Sequence, residues 1–136
     1  MKAVLISIHK QHLDRILAGK KTLEVRTTWP QSLKPPFKVF MYETGKDGGA
    51  KRIRACAECT GYVPLSDSDI PIQDELPEKV LCFAEKSCLS IDDIRLYLFG
   101  HVMIAGWRLE NVRAMDAALD DFGIKRPPQS WQYIEC

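Results

Sequence analysis

No glycine-rich phosphate loop, dinucleotide-binding fingerprint or nucleophile elbow occurs in this 136-residue chain, and the chemistries built on those motifs are set aside with them. An excess of one charge is missing as well. The 19 lysines and arginines stand against 18 aspartates and glutamates, for a net charge of +1. The chain is therefore not a uniformly basic nucleic-acid coat, and any anionic partner has to be met by a local site. Long apolar runs are lacking too. Ala3 to Ile8 is far too short for a secretion signal or a membrane span and runs at once into polar residues, so cytoplasmic residence without a membrane partner is expected. Five cysteines, an odd number, suggest reduced thiols and not a disulfide framework.

Metal-binding patterns are equally sparse. Cys56 and Cys59 fall in an expected strand, where a separation of three sends their side chains to opposite faces, and Cys82 and Cys88 are loosely spaced, so buried thiols are the better reading than a zinc site. His9, His12 and His101 form no ligand pattern; His9 and His12 mark a helix start. The stretch SDSDIPI lacks the spacing and terminal glutamate of a calcium loop, which leaves Asp67 and Asp69 solvated. No cofactor or resident metal is called for.

What is present is a regular alternation of short elements. Ala3 to Ile8 reads as a strand, His9 to Ala18 as a helix with Leu13, Ile16 and Leu17 on one face, and Gly19 as its stop. Thr22 to Thr27 alternates, with Leu23 and Val25 on one face and Thr22, Glu24 and Arg26 on the other, the pattern of a strand buried on one side. Trp29-Pro30 ends it. A proline-stiffened loop leads to a strand at Phe37 to Glu43, a hairpin turn at Lys46 to Gly49, and a strand at Lys51 to Tyr62. After a polar loop at Pro64 to Pro77 come helices at Glu78 to Cys88 and Ile91 to Leu98, the second opened by a Ser90–Asp93 capping box. His101 to Val112 reads as a strand with an irregularity at Gly106, Asp116 to Phe122 as a short helix, and Trp131 to Ile134 as a closing strand. About six strands with interspersed short helices give one α+β domain, residues 1–136, whose mostly antiparallel sheet curls toward a barrel.

The stretch GKKTLEVR, Gly19 to Arg26, carries the most chemistry. With Leu23 and Val25 facing the core, Glu24 and Arg26 must share the opposite face, because a shift of one residue would invert the whole set. An exposed face with solvated charges has the same composition, and surface ion pairs contribute only about 0–1 kcal/mol. Three features point beyond that. Lys20 and Lys21 follow directly on a helix C-terminus; a hydroxyl, an acid and a base lie within reach of each other; and aromatics and prolines flank the strand.

The segments ISIHKQHLDRILAGKKTLEVRTTWP, PFKVFMYET, IAGWRLENV and RPPQSWQYIE together resemble the ASCH family, small domains of the PUA-like β-barrel superfamily, over essentially the full chain. The last of them resembles a bacterial and prophage branch. The resemblance implies a pseudo-barrel with a cleft beside the Gly-Lys turn, in a superfamily associated with RNA or modified nucleobases. It matches Lys21 to the family's cleft lysine and Glu24 and Arg26 to its charged strand positions. Some ASCH proteins similar in the ILAG-x-KT segment are amidohydrolases that deacetylate N4-acetylcytidine with a lysine, a threonine and a later glutamate. Lys21 is retained here, Glu24 stands where that threonine would be, and Glu85 falls in the region of the later acid.

A lysine in a partly desolvated cleft acts as a base when burial lowers its pKa, or as a fixed cation when a neighbouring acid keeps it charged. Glu24 favours the second role for Lys21, with Arg26 available for a two-pronged contact to phosphate or a base edge. Trp29, Tyr42 and Trp131 are candidate stacking walls, each worth about 1–3 kcal/mol if a base lies on it, although large aromatics in a small barrel are commonly core. The expected ligand set is thus Lys20, Lys21, Thr22, Glu24, Arg26, Trp29, Tyr42 and Trp131, with Lys21 and Glu24 central to any catalysis. The sequence points to a domain binding RNA or a modified nucleoside. The alternatives are a hydrolase acting on an acylated nucleoside such as N4-acetylcytidine, a ribonuclease, or a protein-interaction module.

Overall fold

The structure, a computed structural model, describes residues 1–72 and 74–136. Among the described residues, six strands form one mixed sheet in the order β2-β5-β4-β3-β1-β6: β1 is Lys2–Ile8, β2 Leu23–Arg26, β3 Phe37–Glu43, β4 Arg52–Ser66, β5 Met103–Ala117 and β6 Trp131–Glu135. Every neighbouring pair is antiparallel except β1 with β3. The α-helices that accompany it in the described residues are α1 at Lys10–Leu17, α2 at Glu78–Ser87 and α3 at Ile91–Leu98. Among the described residues no helix is long and apolar enough to cross a membrane.

The period-two pattern of β1 and β3 sorts the core. Val4, Ile6, Ile8, Val39 and Met41 point inward with Leu13 and Ile16 of α1, while Ala3, Leu5, Phe40, Tyr42 and Ile53 form a second cluster on the outer face. A third cluster packs Val80, Phe83, Ile94 and Leu98 of the two later helices over Leu23, Val25 and Ile104. Trp107 of β5, fully buried, meets Trp131 of β6 edge-on with ring centroids 6.1 Å apart. Strands far apart in the sheet order thus touch through their side chains, which is what curling requires.

The expected barrel is not closed. The free edges of β2 and β6 share no ladder, because β2 is four residues long and its Arg26 side chain, in place of a strand, reaches β1: Nη2 donates to the Ser7 carbonyl at 2.7 Å. Other sequence expectations change as well. β2 is buried on both faces and not one, with Glu24 only 6% exposed. β4 continues through Ser66 and β5 through Ala117, shortening the expected loop and turning the helix expected from Asp116 into a 3-10 turn at Leu119–Phe122. Paired with each other over that length, the two strands satisfy backbone groups a loop would leave to water. Gln73, within the loop expected over 64–77, lies outside the described residues. Gly106 sits in regular register opposite Val25 and Val63, so it is no bulge; a Cβ there would come within 3.1 Å of Phe83 and 3.2 Å of Leu23. The strand needs glycine for close approach of helix α2.

Candidate functional site

The turn that ends α1 sets the position of everything after it. Gly19, at φ +77°, donates to the Ile16 carbonyl, and the N–H groups of Lys20 and Lys21 both reach the Arg15 carbonyl. This is a Schellman closure, and glycine is what permits the left-handed residue. Thr22 then donates its N–H to the Lys86 carbonyl at 2.9 Å, docking the chain on the end of α2. Lys21 is driven under that end. Its Nζ donates to the Ser87 carbonyl at 2.5 Å, a carbonyl at a helix C-terminus that has no intrahelical donor and that favours a cation.

From Lys21 a chain of buried polar contacts crosses the gap in the barrel. Glu24 Oε1 lies 3.5 Å from Lys21 Nζ, and Glu24 Oε2 accepts from Arg26 Nη2 at 2.9 Å. Arg26 also donates from Nη1 to the Ser130 hydroxyl at 3.1 Å, besides its bond to Ser7. Burial alone would raise the Glu24 carboxyl, but the guanidinium of Arg26 and the ammonium of Lys21 outweigh it and hold the carboxyl below its ordinary value. Lys21 moves the other way: burial lowers its pKa, opposed chiefly by Glu24. The asymmetry has a simple cause, since Glu24 faces two cations while Lys21 faces one anion that it shares with Arg26.

Glu24 and Arg26 open onto a hollow of 250 Å³ whose walls include Ser7, His12, Thr27, Tyr97 and Ser130. His12, in the first turn of α1, has a buried Nδ1 without a hydrogen-bond partner among the described residues. Burial and then the Lys21 ammonium lower the pKa of its ring, which favours the neutral imidazole. Burial and then the Glu24 carboxylate raise the Tyr97 phenol. The hollow therefore offers a carboxylate flanked by two cations, an imidazole biased toward its neutral form, hydroxyls and the ring of Tyr97. Among the described residues no group of three or more His, Cys, Asp or Glu side chains is arranged to hold a metal ion.

The architecture has counterparts among solved structures. An ASCH protein from Zymomonas mobilis superposes with a TM-score of 0.77 at 20% identity, over 98% of this chain and 87% of that one. This chain has the ASCH fold. A serine-to-alanine variant of the Zymomonas mobilis protein gives 0.76 at 19% identity over 98% and 88%, and a tyrosine-to-phenylalanine variant 0.76 at 20% over 99% and 91%. No family model matches the sequence, and no curated protein does; at these identities the likeness is one of fold.

Within this ASCH fold Lys21, Glu24 and Arg26 converge, but Lys21 lies beneath the hollow and does not line it. The other residues expected there lie elsewhere. Lys20 and Thr22 are exposed outside the hollow, and Glu85 is exposed on α2. Tyr42 belongs to the outer-face cluster, since its neighbour Met41 takes the inner side. Trp29 packs near Tyr62, with centroids 6.3 Å apart, and Trp131 donates its indole N–H to the Thr28 hydroxyl at 3.0 Å while resting on Trp107. The three aromatics thus build core and rim, and the hollow's aromatic wall is Tyr97. Sequence reasoning missed Ser7, His12, Tyr97 and Ser130. Tyr97 reads as part of the apolar face of α3, and His12 as a helix-start residue. Ser130 stands inside the PPQSW segment, which was the available signal. Cys56 and Cys59 fall in the outer and inner clusters respectively, on opposite faces as the odd spacing requires.

Proposed function

We propose that this protein binds a nucleobase, free or carried on single-stranded RNA, in the hollow at Glu24 and Arg26. The observation that carries the reading is the fixed carboxylate: Glu24 is buried, ionised by two cations and exposed only toward a 250 Å³ space. That volume lies just below the roughly 300–1,000 Å³ of drug-sized ligand pockets and suits a single flat ring. A carboxylate accepts hydrogen bonds from an exocyclic amine or ring N–H, and the hydroxyls of Ser7 and Ser130 and the imidazole of His12 supply the complementary edge contacts. Arg26, with both terminal nitrogens engaged by protein, orients the carboxylate in this reading. Tyr97 supplies a stacking face.

A second reading, a hydrolase that deacylates a nucleoside such as N4-acetylcytidine, is supported by the lowered pKa of Lys21. A lysine so shifted is suited to proton transfer. It would have to leave the Ser87 carbonyl to reach a substrate, which is why binding is favoured.

Calorimetric titration with cytidine, N4-acetylcytidine and a short single-stranded oligoribonucleotide tests the proposal, with absorbance followed in parallel. The expected result is micromolar or weaker binding, salt-sensitive for the oligonucleotide, and lost in a folded Glu24→Gln variant. Binding untouched by Glu24→Gln, or no binding at all, overturns it. Turnover of N4-acetylcytidine replaces it with the hydrolase reading.

A further inference from the structure

Between α3 and β5 the chain turns at Gly100 with apolar side chains outward: Phe99 is 85% and Val102 78% exposed. Single exposed apolar residues are ordinary on a protein surface, but this pair adjoins a hollow. The hollow, of 210 Å³, has Ile70 and Leu98 in its wall beside Phe99, with Asp67 and Arg95 completing it. Val102 is tied to the same place, because its carbonyl accepts the Asp67 N–H at 3.2 Å. A cavity of about 150 Å³ takes up benzene, so there is room here for a phenyl ring.

The two charges bordering the hollow are of opposite sign and little used. Asp67 is exposed and, among the described residues, forms no ion pair, while Arg95 reaches only the exposed Asp92, at 3.5 Å. A partner of unrelated chemistry would call for one sign or the other. A patch that holds a protruding ring, a hollow that fits it, a cation and an anion is complementary to itself. We propose that this face joins two copies of the chain in a two-fold symmetric dimer, Phe99 of each copy entering the hollow of the other and Arg95 of each pairing with the partner's Asp67. Two-fold symmetry makes every such contact occur twice, so the assembly closes on itself. The interface is small, at or below about 1,200 Å² in total, and gives a reversible dimer with a dissociation constant on the order of 10–100 µM. Arg95, Leu98 and Phe99 recur at helical spacing on one flank of α3, and Asp93 and Tyr97 on the other. The Glu24 hollow, which Tyr97 borders, therefore stays open in the dimer.

Sedimentation equilibrium of the ligand-free protein, from about 1 µM to about 1 mM, tests this on wild type, Phe99→Ser, Arg95→Asp and Asp67→Arg. All three positions are exposed, so the substitutions leave the fold in place, which circular dichroism checks. Wild type is expected to pass from monomer to dimer over that range, and Phe99→Ser to weaken the dimer about thirtyfold or more, the scale of an aromatic hot spot. Arg95→Asp and Asp67→Arg each stay monomeric alone, since like charges then meet across the axis. An equimolar mixture of the two recovers the dimer, because the exchanged charges face each other correctly in both contacts. Wild type that remains monomeric at about 1 mM overturns the proposal and leaves the face to a different protein. A dimer that Phe99→Ser leaves intact, or a mixture of the charge variants no tighter than either alone, overturns it as well.

Discussion

Replacing Lys21 by methionine bears most directly on the buried charge chain. The change keeps an unbranched apolar stem and deletes an ammonium that sits 3.5 Å from Glu24 Oε1 and 2.5 Å from the Ser87 carbonyl. An effective dielectric near 20 gives about 5 kcal/mol of gross attraction at that separation, and the Ser87 carbonyl loses its donor at a cost of about 1–3 kcal/mol. Methionine in turn spares the desolvation of an ion, worth several kcal/mol. Breaking a buried pair on one side usually costs about 3–5 kcal/mol. Glu24 retains Arg26 at 2.9 Å, which puts the expected loss at the lower end, about 3 kcal/mol. Urea unfolding followed by tryptophan fluorescence, with Trp107 fully buried as reporter, should show a midpoint lowered by roughly 1–3 M at unchanged slope. A loss below about 1 kcal/mol, the range of an exposed pair, would refute the reasoning, since it would mean that Lys21 is solvated or carries no charge in the folded protein.

Two further outcomes follow from the same geometry. Glu24 has a folded-state pKa below its ordinary value of 4.5, so the stability its charge contributes is complete above that pH and is lost as pH falls through the depressed folded value. The stability gap between wild type and Glu24→Gln is therefore largest near neutrality and closes in acid; denaturation curves at several pH values measure it, and a gap that is flat or widens below pH 4.5 contradicts the assignment. Gly106→Ala would press a methyl to 3.1 Å from Phe83 and 3.2 Å from Leu23, both at least 98% buried. It should cost about 1–3 kcal/mol by overpacking, and thermal unfolding showing no loss would indicate that α2 can shift outward freely.

Much of the fold was legible because it rests on local rules. The apolar run at Ala3 to Ile8, the aromatic and β-branched residues of Phe37 to Glu43, the apolar face of α1, the glycine at its end and the Ser90–Asp93 box each specify an element within a few residues, and each forms where the pattern places it. Element ends were less so. The extension of β4 to Ser66 and β5 to Ala117 comes from their mutual pairing, and a partner strand is not visible in either segment alone. Lys21, Glu24 and Arg26 could be grouped from the sequence because they lie within six residues of each other on a turn and a strand. The rest of the hollow could not, since Ser7, Tyr97 and Ser130 arrive from β1, α3 and the approach to β6.

The chain itself thus determined which residues alternate, where helices start and stop, and that acid and base share one short ribbon, all consequences of backbone periodicity and steric preference among near neighbours. Which of those charges would be buried was decided by tertiary structure. Packing α2 over β2 placed a helix end above Lys21, and curling the sheet brought Ser7 and Ser130 to Arg26. Desolvation and long-range hydrogen bonding depend on what surrounds a side chain in three dimensions, and the order of residues along a strand carries no record of that surrounding.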